Sequence, residues 1–419
     1  MAKKKNSVQV QMQKQATAEH RKQFMIRIKK FMIEINLESH YHLISKSMFE
    51  DMYNFRILSA KIVAAESDIP PHIIKDGQFL LRRSMQDIKI PLIDFDTEIS
   101  LGDYYELWLT LTTYFSLIEK ESEPNLPTLK AFFEPYFEIT DETCFYYKMF
   151  NSAHLALHPT LLGYNFLNSS FNTSYFWSME ELILQENRIQ RLQLIITLHG
   201  KEVPQKQFVI DNNARPAYRV GCGIANKALE WVQIAPSIWG EEGPFSSIPL
   251  DIYIQAHAIQ RLKDRLDGIP EGLVHSNIFG SLRDPKIMQL PNGKLFIECR
   301  LFEKKAGYLV ASVVEGVILI RTFLFLTNNG TPEGEKLAKL TGLKKLDKSY
   351  LAIDKLSAFF ASDIRDNEKV MNIIRKADCE SLLELCEFVF EISKIGSQQT
   401  GKLMEAYLQL FTEHPIDEI

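Results

Sequence analysis

Three apolar runs in quick succession constrain the fold more than any other feature: KLFIECRLF (294–302), GYLVASVV (307–314) and VILIRTFLF (317–325). Read as one stretch, Tyr308 to Thr327 has the length of a membrane span. It contains Glu315 and Arg321, and each would cost about 2.5–3.5 kcal/mol near a bilayer centre. Glu315-Gly316 lies between two β-branched runs, which is the signature of a tight hairpin. The expectation is two buried strands, with no membrane span and no membrane partner. The run from Val317 is apolar on both faces, as in a central strand.

Around these strands the pattern changes to helical. The expected class is α+β: helical N-terminal (1–185) and C-terminal (331–419) regions around a central antiparallel β-sheet with one packed helix (186–330). In 1–185, apolar positions recur at three and four, beginning with Phe24, Ile26, Ile28, Phe31, Met32 and Ile35. The aromatic clusters FFEPYF (132–137) and YFW (175–177) read as core. In 191–211, two strands are expected around a His-Gly-Lys-Glu-Val-Pro loop, closed by Asp211-Asn212-Asn213. Thr331-Pro332 suits a helix start, with further helices at 346–362, 367–378 and 380–392.

Net charge is −5 over 419 residues, so a polyanion partner requires a local basic surface. Residues 1–30 carry nine Lys/Arg against one Glu, and 255–325 carry ten against seven acids, so the remainder is strongly acidic. The basic start is either a solvated helix face or an electrostatic arm for nucleic acid. No apolar stretch follows it, so a secretory signal is not expected. The five cysteines, Cys144, Cys222, Cys299, Cys379 and Cys386, contain no CxxC pair and suit reduced thiols in a cytoplasmic protein.

The stretch richest in chemistry is IYIQAHAIQRLKDRLDGIP (252–270). Ile252-Tyr253-Ile254 reads as a short strand and Ala256–Asp267 as a helix stopped by Gly268. His257, Arg261 and Arg265 fall at i, i+4 and i+8, within an arc of about 80°. Arginine forks match phosphate oxygens, and a nearby imidazole moves a proton near neutral pH. The other reading is a charged exterior with a packed histidine. Arg321, inside its apolar strand, needs a partner: a carboxylate such as Glu298 or Glu315, or a bound phosphate.

The helix His-Ala-x-x-Arg-x-x-x-Arg, followed by strands that end in Arg-Thr, resembles the barnase–EndoU–colicin–RelE group of small ribonuclease toxins. The resemblance covers residues 252–327. It implies a metal-independent, cofactor-free endoribonuclease or RNA-binding protein of bacterial style. His257, Arg261 and Arg265 would lie on the helix, and Arg321 and Thr322 on the late strand. This chain is longer and more acidic than those toxins. The other function class is a non-catalytic interaction scaffold that binds a protein partner or inhibitor.

Other motifs carry less. His154/His158 and His40/His42 have zinc-compatible spacing but no third ligand nearby in sequence. Gly221-Cys222-Gly223 lacks the rest of a dinucleotide fingerprint. Arg215-Pro216-Ala217-Tyr218-Arg219 reads as a basic turn.

Overall fold

The computed structural model describes residues 2–119, 123–136, 142–186, 189–210, 212–224, 229–361, 364 and 367–385, with side chains omitted at 2–17, 93, 142–154, 181–191, 360 and 361. Contacts divide the chain into two compact units, 1–159 with 179–197, and 160–178 with 198–419.

The first unit is mostly helical: α1 (Ala2–Glu34), α2 (Glu38–Tyr41), α3 (Lys46–Phe55), α4 (Pro71–Asp87), α5 (Leu101–Asp103), α6 (Leu109–Leu117) and α7 (Leu126–Phe133). Its strands are β1 (Leu58–Ala64) and the β2–β3 hairpin (Lys89–Leu92, Thr97–Ser100). The α1 periodicity holds, since Phe24, Ile28, Phe31, Met32 and Ile35 are buried, while Ile26 is exposed. In the aromatic core, Phe115 stacks on Phe133 with centroids 5.1 Å apart. Part of the basic charge of α1 is neutralised locally: Arg27 bridges Glu106 at 2.7 Å and Asp103 at 3.0 Å. The helix α8 (Glu142–Asn168) and the strands β4 (Thr173–Glu186) and β5 (Ile189–Glu202) each run through the division between the units. β1, β5 and β4 form a three-stranded sheet in that order.

The second unit is built on a larger sheet. Its strands are β6 (Gln205–Ile210), β7 (Asn213–Arg219), β10 (Gln233–Ile234), β11 (Leu250–Gln255), β12 (Ile287–Gln289), β13 (Leu295–Leu301), β14 (Lys304–Val314) and β15 (Val317–Phe325). Among the described residues the order is β12-β13-β14-β15-β11-β7-β6, with β10 on β11. A separate pair, β8 (Gly221–Gly223) and β9 (Leu229–Trp231), stands beside it. The two runs within 308–327 are β14 and β15, joined by Glu315 and Gly316 at φ 50° and 75°. Asn212, at φ 60°, turns β6 into β7.

The sheet differs from the expected antiparallel one in a single pairing. β11 and β15 run parallel, with Ile252, Tyr253 and Ile254 opposite Ile318, Leu319 and Ile320. A parallel pair needs a long crossover, and here it comprises α9 (Ala256–Arg265), α10 (Glu271–Arg283) and β12–β14. Two helices therefore pack on the sheet where one was expected. Ile259 and Leu262 of α9 and Val274 and Ile278 of α10 share one core with Ile254, Ile320 and Phe325.

The C-terminal helices are not a separate layer. Leu337 of α11 (Pro332–Thr341), Phe359 of α13 (Ser357–Ala361) and Ile374 of α14 (Glu368–Lys376) enter the same core. Between α11 and α13 lies α12 (Lys345–Tyr350). Thr331 caps α11 by accepting from the Gly334 N–H, with Pro332 in the first turn. The cysteines Cys222, Cys299 and Cys379 are buried free thiols, while Cys144 and Cys386 lie outside the described side chains. The glycines of β8 permit close packing: a Cβ on Gly223 would sit 2.1 Å from the Tyr175 carbonyl oxygen. Arg215–Arg219 is strand β7 and not a turn, and Arg219 pairs with Asp251 at 2.7 Å. Among the described residues no helix is long and apolar enough to cross a membrane.

His275 of α10 is enclosed in this unit. It lies 5.0 Å from the Phe171 ring, edge to face, and its Nε2 donates to the Gly221 carbonyl oxygen at 2.9 Å. Its Nδ1 has no hydrogen-bond partner among the described residues. Burial pushes its pKa down from 6.5 to about 4. The folded state thus resists a proton that the unfolded chain accepts. Stability is flat with respect to this group above pH 6.5 and falls as the pH drops towards about 4. The loss should approach about 3 kcal/mol. Urea melts across this range should show it, and His275→Phe should flatten that part of the profile.

Candidate functional site

The site is set by how β11 and β15 end. The last paired residues are Ile254 and Ile320. One step further, β11 becomes α9 at Gln255–Ala256, and β15 reaches Arg321–Thr322. There the β14 ladder is irregular: Val310 pairs with Thr322 and Ala311 with Ile320, which leaves Arg321 as the extra residue of a β-bulge. A bulge redirects side chains and releases one residue from the ladder. It explains how an arginine sits within an apolar strand. Ile318 and Ile320 before it, and Phe323 and Phe325 after it, all enter the helix-side core, while Arg321 and Thr322 are half-buried. Leu319 packs on the other face with Phe208 and Ala217. Arg321 is engaged within the protein, and the carboxylates named as its candidate partners also meet lysines, Glu298 Lys305 at 3.2 Å and Glu315 Lys206 at 3.0 Å.

The helix α9 packs against β15. Its buried face is Ala258, Ile259 and Leu262, so His257 in the first turn is exposed and Arg261, one turn on, is half-buried. At i, i+4 their Cβ atoms are about 6 Å apart. The charges on this helix divide clearly. Lys263 pairs with Glu271 at 2.7 Å, and Asp264 accepts from Gln260 at 2.8 Å. Arg265 binds the buried Asp354 carboxylate and also donates to the Asp354 carbonyl at 3.2 Å. Among the described residues Arg261 has no carboxylate partner. The three-residue face read from the sequence therefore splits. His257 and Arg261 are presented outward, and Arg265 fastens α9 to the chain after α12.

Gln255 was not singled out from the sequence. It supplies the N-cap backbone of α9, yet its side chain makes no capping bond. It is buried, and its Nε2 has no hydrogen-bond partner among the described residues. A buried amide donor left unmade costs about 1–3 kcal/mol. It lies one residue before the α9 N-terminus and one step past Ile254 and Ile320, the last paired residues of β11 and β15. An apolar strand ending in glutamine directly before a helix was the only signal available. The helix N-terminus adds partial positive charge at the same place. The arrangement suits an anion with several acceptor oxygens.

The described histidines of the two pairs meet other partners. The His40 ring lies tilted against Phe132 with centroids 4.0 Å apart, and His42 lies 4.0 Å from Glu38. His154 lies outside the described side chains. Among the described residues no three His, Cys, Asp or Glu side chains gather in a ligand-like group.

Comparison with protein-family models, curated proteins and solved structures returned no match.

The split between the arginines has a measurable consequence. Asp354 is almost fully buried, so Arg265→Ala strands a charge and should cost about 3 kcal/mol or more. Arg261→Ala should stay within about 0.5 kcal/mol of the parent. Urea denaturation of the two variants checks both; equal losses would return Arg261 to the structural framework.

Proposed function

We propose that this chain is an RNA-binding protein of the ribonuclease-toxin type, acting in the cytoplasm, with a phosphodiester seated at the junction of α9 and the β15 bulge. The observation that carries this reading is the outward presentation of His257 and Arg261 on α9, the helix that follows Gln255, a buried amide whose Nε2 has no hydrogen-bond partner among the described residues. Arg321 and Thr322 follow on the adjacent parallel strand.

In this reading His257 takes the proton of a ribose 2′-hydroxyl, and the 2′ oxygen attacks the neighbouring phosphorus. The bond from phosphorus to the 5′ oxygen breaks, and that oxygen leaves as a hydroxyl after taking a proton from water, while the His257 imidazolium returns its own proton to solvent. The products are a 2′,3′-cyclic phosphate and a 5′-hydroxyl end. Arg261 and Arg321 stabilise the charge that builds on the phosphoryl oxygens, Thr322 and Gln255 orient them, and Arg265 holds α9 in place through Asp354. His257 serves as general base or acid, for which an exposed imidazole has the needed access to solvent protons. The attacking oxygen belongs to the RNA, and the named side chains supply the proton transfer and charge stabilisation.

The Arg265–Asp354 pair favours a second reading, in which the fold is a scaffold for a protein partner and the charges of α9 serve architecture. Incubation of the purified chain with mixed RNA in EDTA separates the two. The first reading expects cleavage to cyclic-phosphate ends, with His257→Ala and Arg321→Ala each lowering the rate about 100-fold or more at unchanged fold. RNA that is bound but uncut restricts the function to binding. An inert parent that does not retain RNA sinks the first reading and leaves the scaffold.

A further inference from the structure

The short helix α12 is built inside out. Its inward residue is a lysine: Lys348 is fully buried, and its Nζ donates to the Thr327 carbonyl at 2.9 Å and the Gly334 carbonyl at 2.8 Å. Leu346 and Tyr350 share a face at i, i+4 and lie roughly opposite, at about 100° per residue. They are 81% and 90% exposed. The buried lysine fixes the rotation of the helix, so these two side chains cannot turn into the core. Leu340, at the end of α11, and Leu351, just after α12, are also exposed. Single exposed leucines are ordinary, but here four large apolar or aromatic side chains stand exposed within residues 340–351.

The same corner is basic in a chain that is acidic overall. Residues 336–355 carry six lysines against two aspartates. Lys339, Lys344 and Lys345 are exposed and have no carboxylate partner among the described residues, while Lys336 is held by Asp378. Of the two aspartates, Asp354 is committed to Arg265, and Asp347 accepts from the Lys344 backbone N–H at 2.8 Å.

We propose that the α11–α12 corner docks on the surface of an anionic lipid bilayer, with Leu346 and Tyr350 entering the interface and Lys339, Lys344 and Lys345 lying among the headgroups. A second copy of the chain would set lysine against lysine. A rigid protein partner would need a cavity for side chains that stand this far out, whereas a bilayer interface deforms around them. Tyrosine favours that interface, and lysine stems follow apolar side chains into it while keeping their charge at the headgroups. None of these surface side chains belongs to the α9 site.

The test is flotation of the full chain with phosphatidylcholine vesicles, with and without phosphatidylglycerol. Binding is expected to the anionic vesicles alone and to weaken with salt. Leu346→Ser with Tyr350→Ser should lower it about tenfold or more, and Lys344→Glu with Lys345→Glu about 30-fold or more. All four side chains are exposed, so thermal melts should be unchanged. No binding to anionic vesicles overturns the proposal, and so does binding that survives the Leu346/Tyr350 substitutions. A concentration-dependent dimer abolished by those substitutions, without vesicle binding, assigns the corner to a second copy instead.

Discussion

The parallel pairing of β11 with β15 governs the second unit. Two strands running the same way cannot be joined by a turn, so the chain between them must cross over. That crossover contains α9, α10 and three strands, and it creates the core that both helices share with the sheet. It also fixes where chemistry can sit. Because β11 stops at Gln255 while β15 continues to Phe325, the α9 N-terminus lies beside the middle of β15, where the bulge releases Arg321. Ligands of sheets with parallel strands gather beyond strand carboxyl ends for the same reason: helix N-termini and strand ends converge there.

Local features were legible in the sequence because their causes are local. The Glu315-Gly316 hairpin, the Thr331-Pro332 helix start, the end of α9 near Gly268 and the doubly buried β15 each depend on a few neighbouring residues. The pairings were not legible. Nothing within LDIYIQ states that its neighbours will be β15 on one side and β7 on the other. Likewise, the N-terminal stretch concealed β1, since a strand whose partner, β5, lies far along the chain carries little signal of its own. The three-region reading fails to foresee that Leu337, Phe359 and Ile374 close the core of the sheet. The apolar spacing of those helices shows that they bury a face, but not which face receives it.

The candidate site shows the same division between local and distant causes. Helical spacing placed His257, Arg261 and Arg265 on one face, and it could not distinguish them. Asp354, 89 residues further on, does so by taking Arg265. Gln255 was passed over because an unmade hydrogen bond has no sequence signature; it becomes visible only once the surroundings are in place. Arg321 is legible as a charge in an apolar strand, and the bulge supplies the mechanism, since the residue leaves the ladder instead of entering the core.

Buried polar groups do more than tolerate burial in this unit; they determine how the C-terminal helices attach. Lys305 reaches Glu333 at 2.7 Å, and Tyr308 donates to the same carboxylate oxygen at 3.1 Å, joining β14 to α11. Lys348 ties α12 to the backbone at Thr327 and Gly334, and Asp354 ties the following turn to α9. Apolar packing is non-directional and would allow these short helices to rotate or slide on the core. Charged hydrogen bonds in a desolvated setting have fixed donors, acceptors and angles, and they are costly to leave unmade. The orientation of α12 therefore follows from Lys348 and not from its own apolar residues, which is why Leu346 and Tyr350 end up outside. The same contacts transmit position to the candidate site, because Asp354 holds α9 through Arg265 and leaves Arg261 and His257 on the free side of the helix.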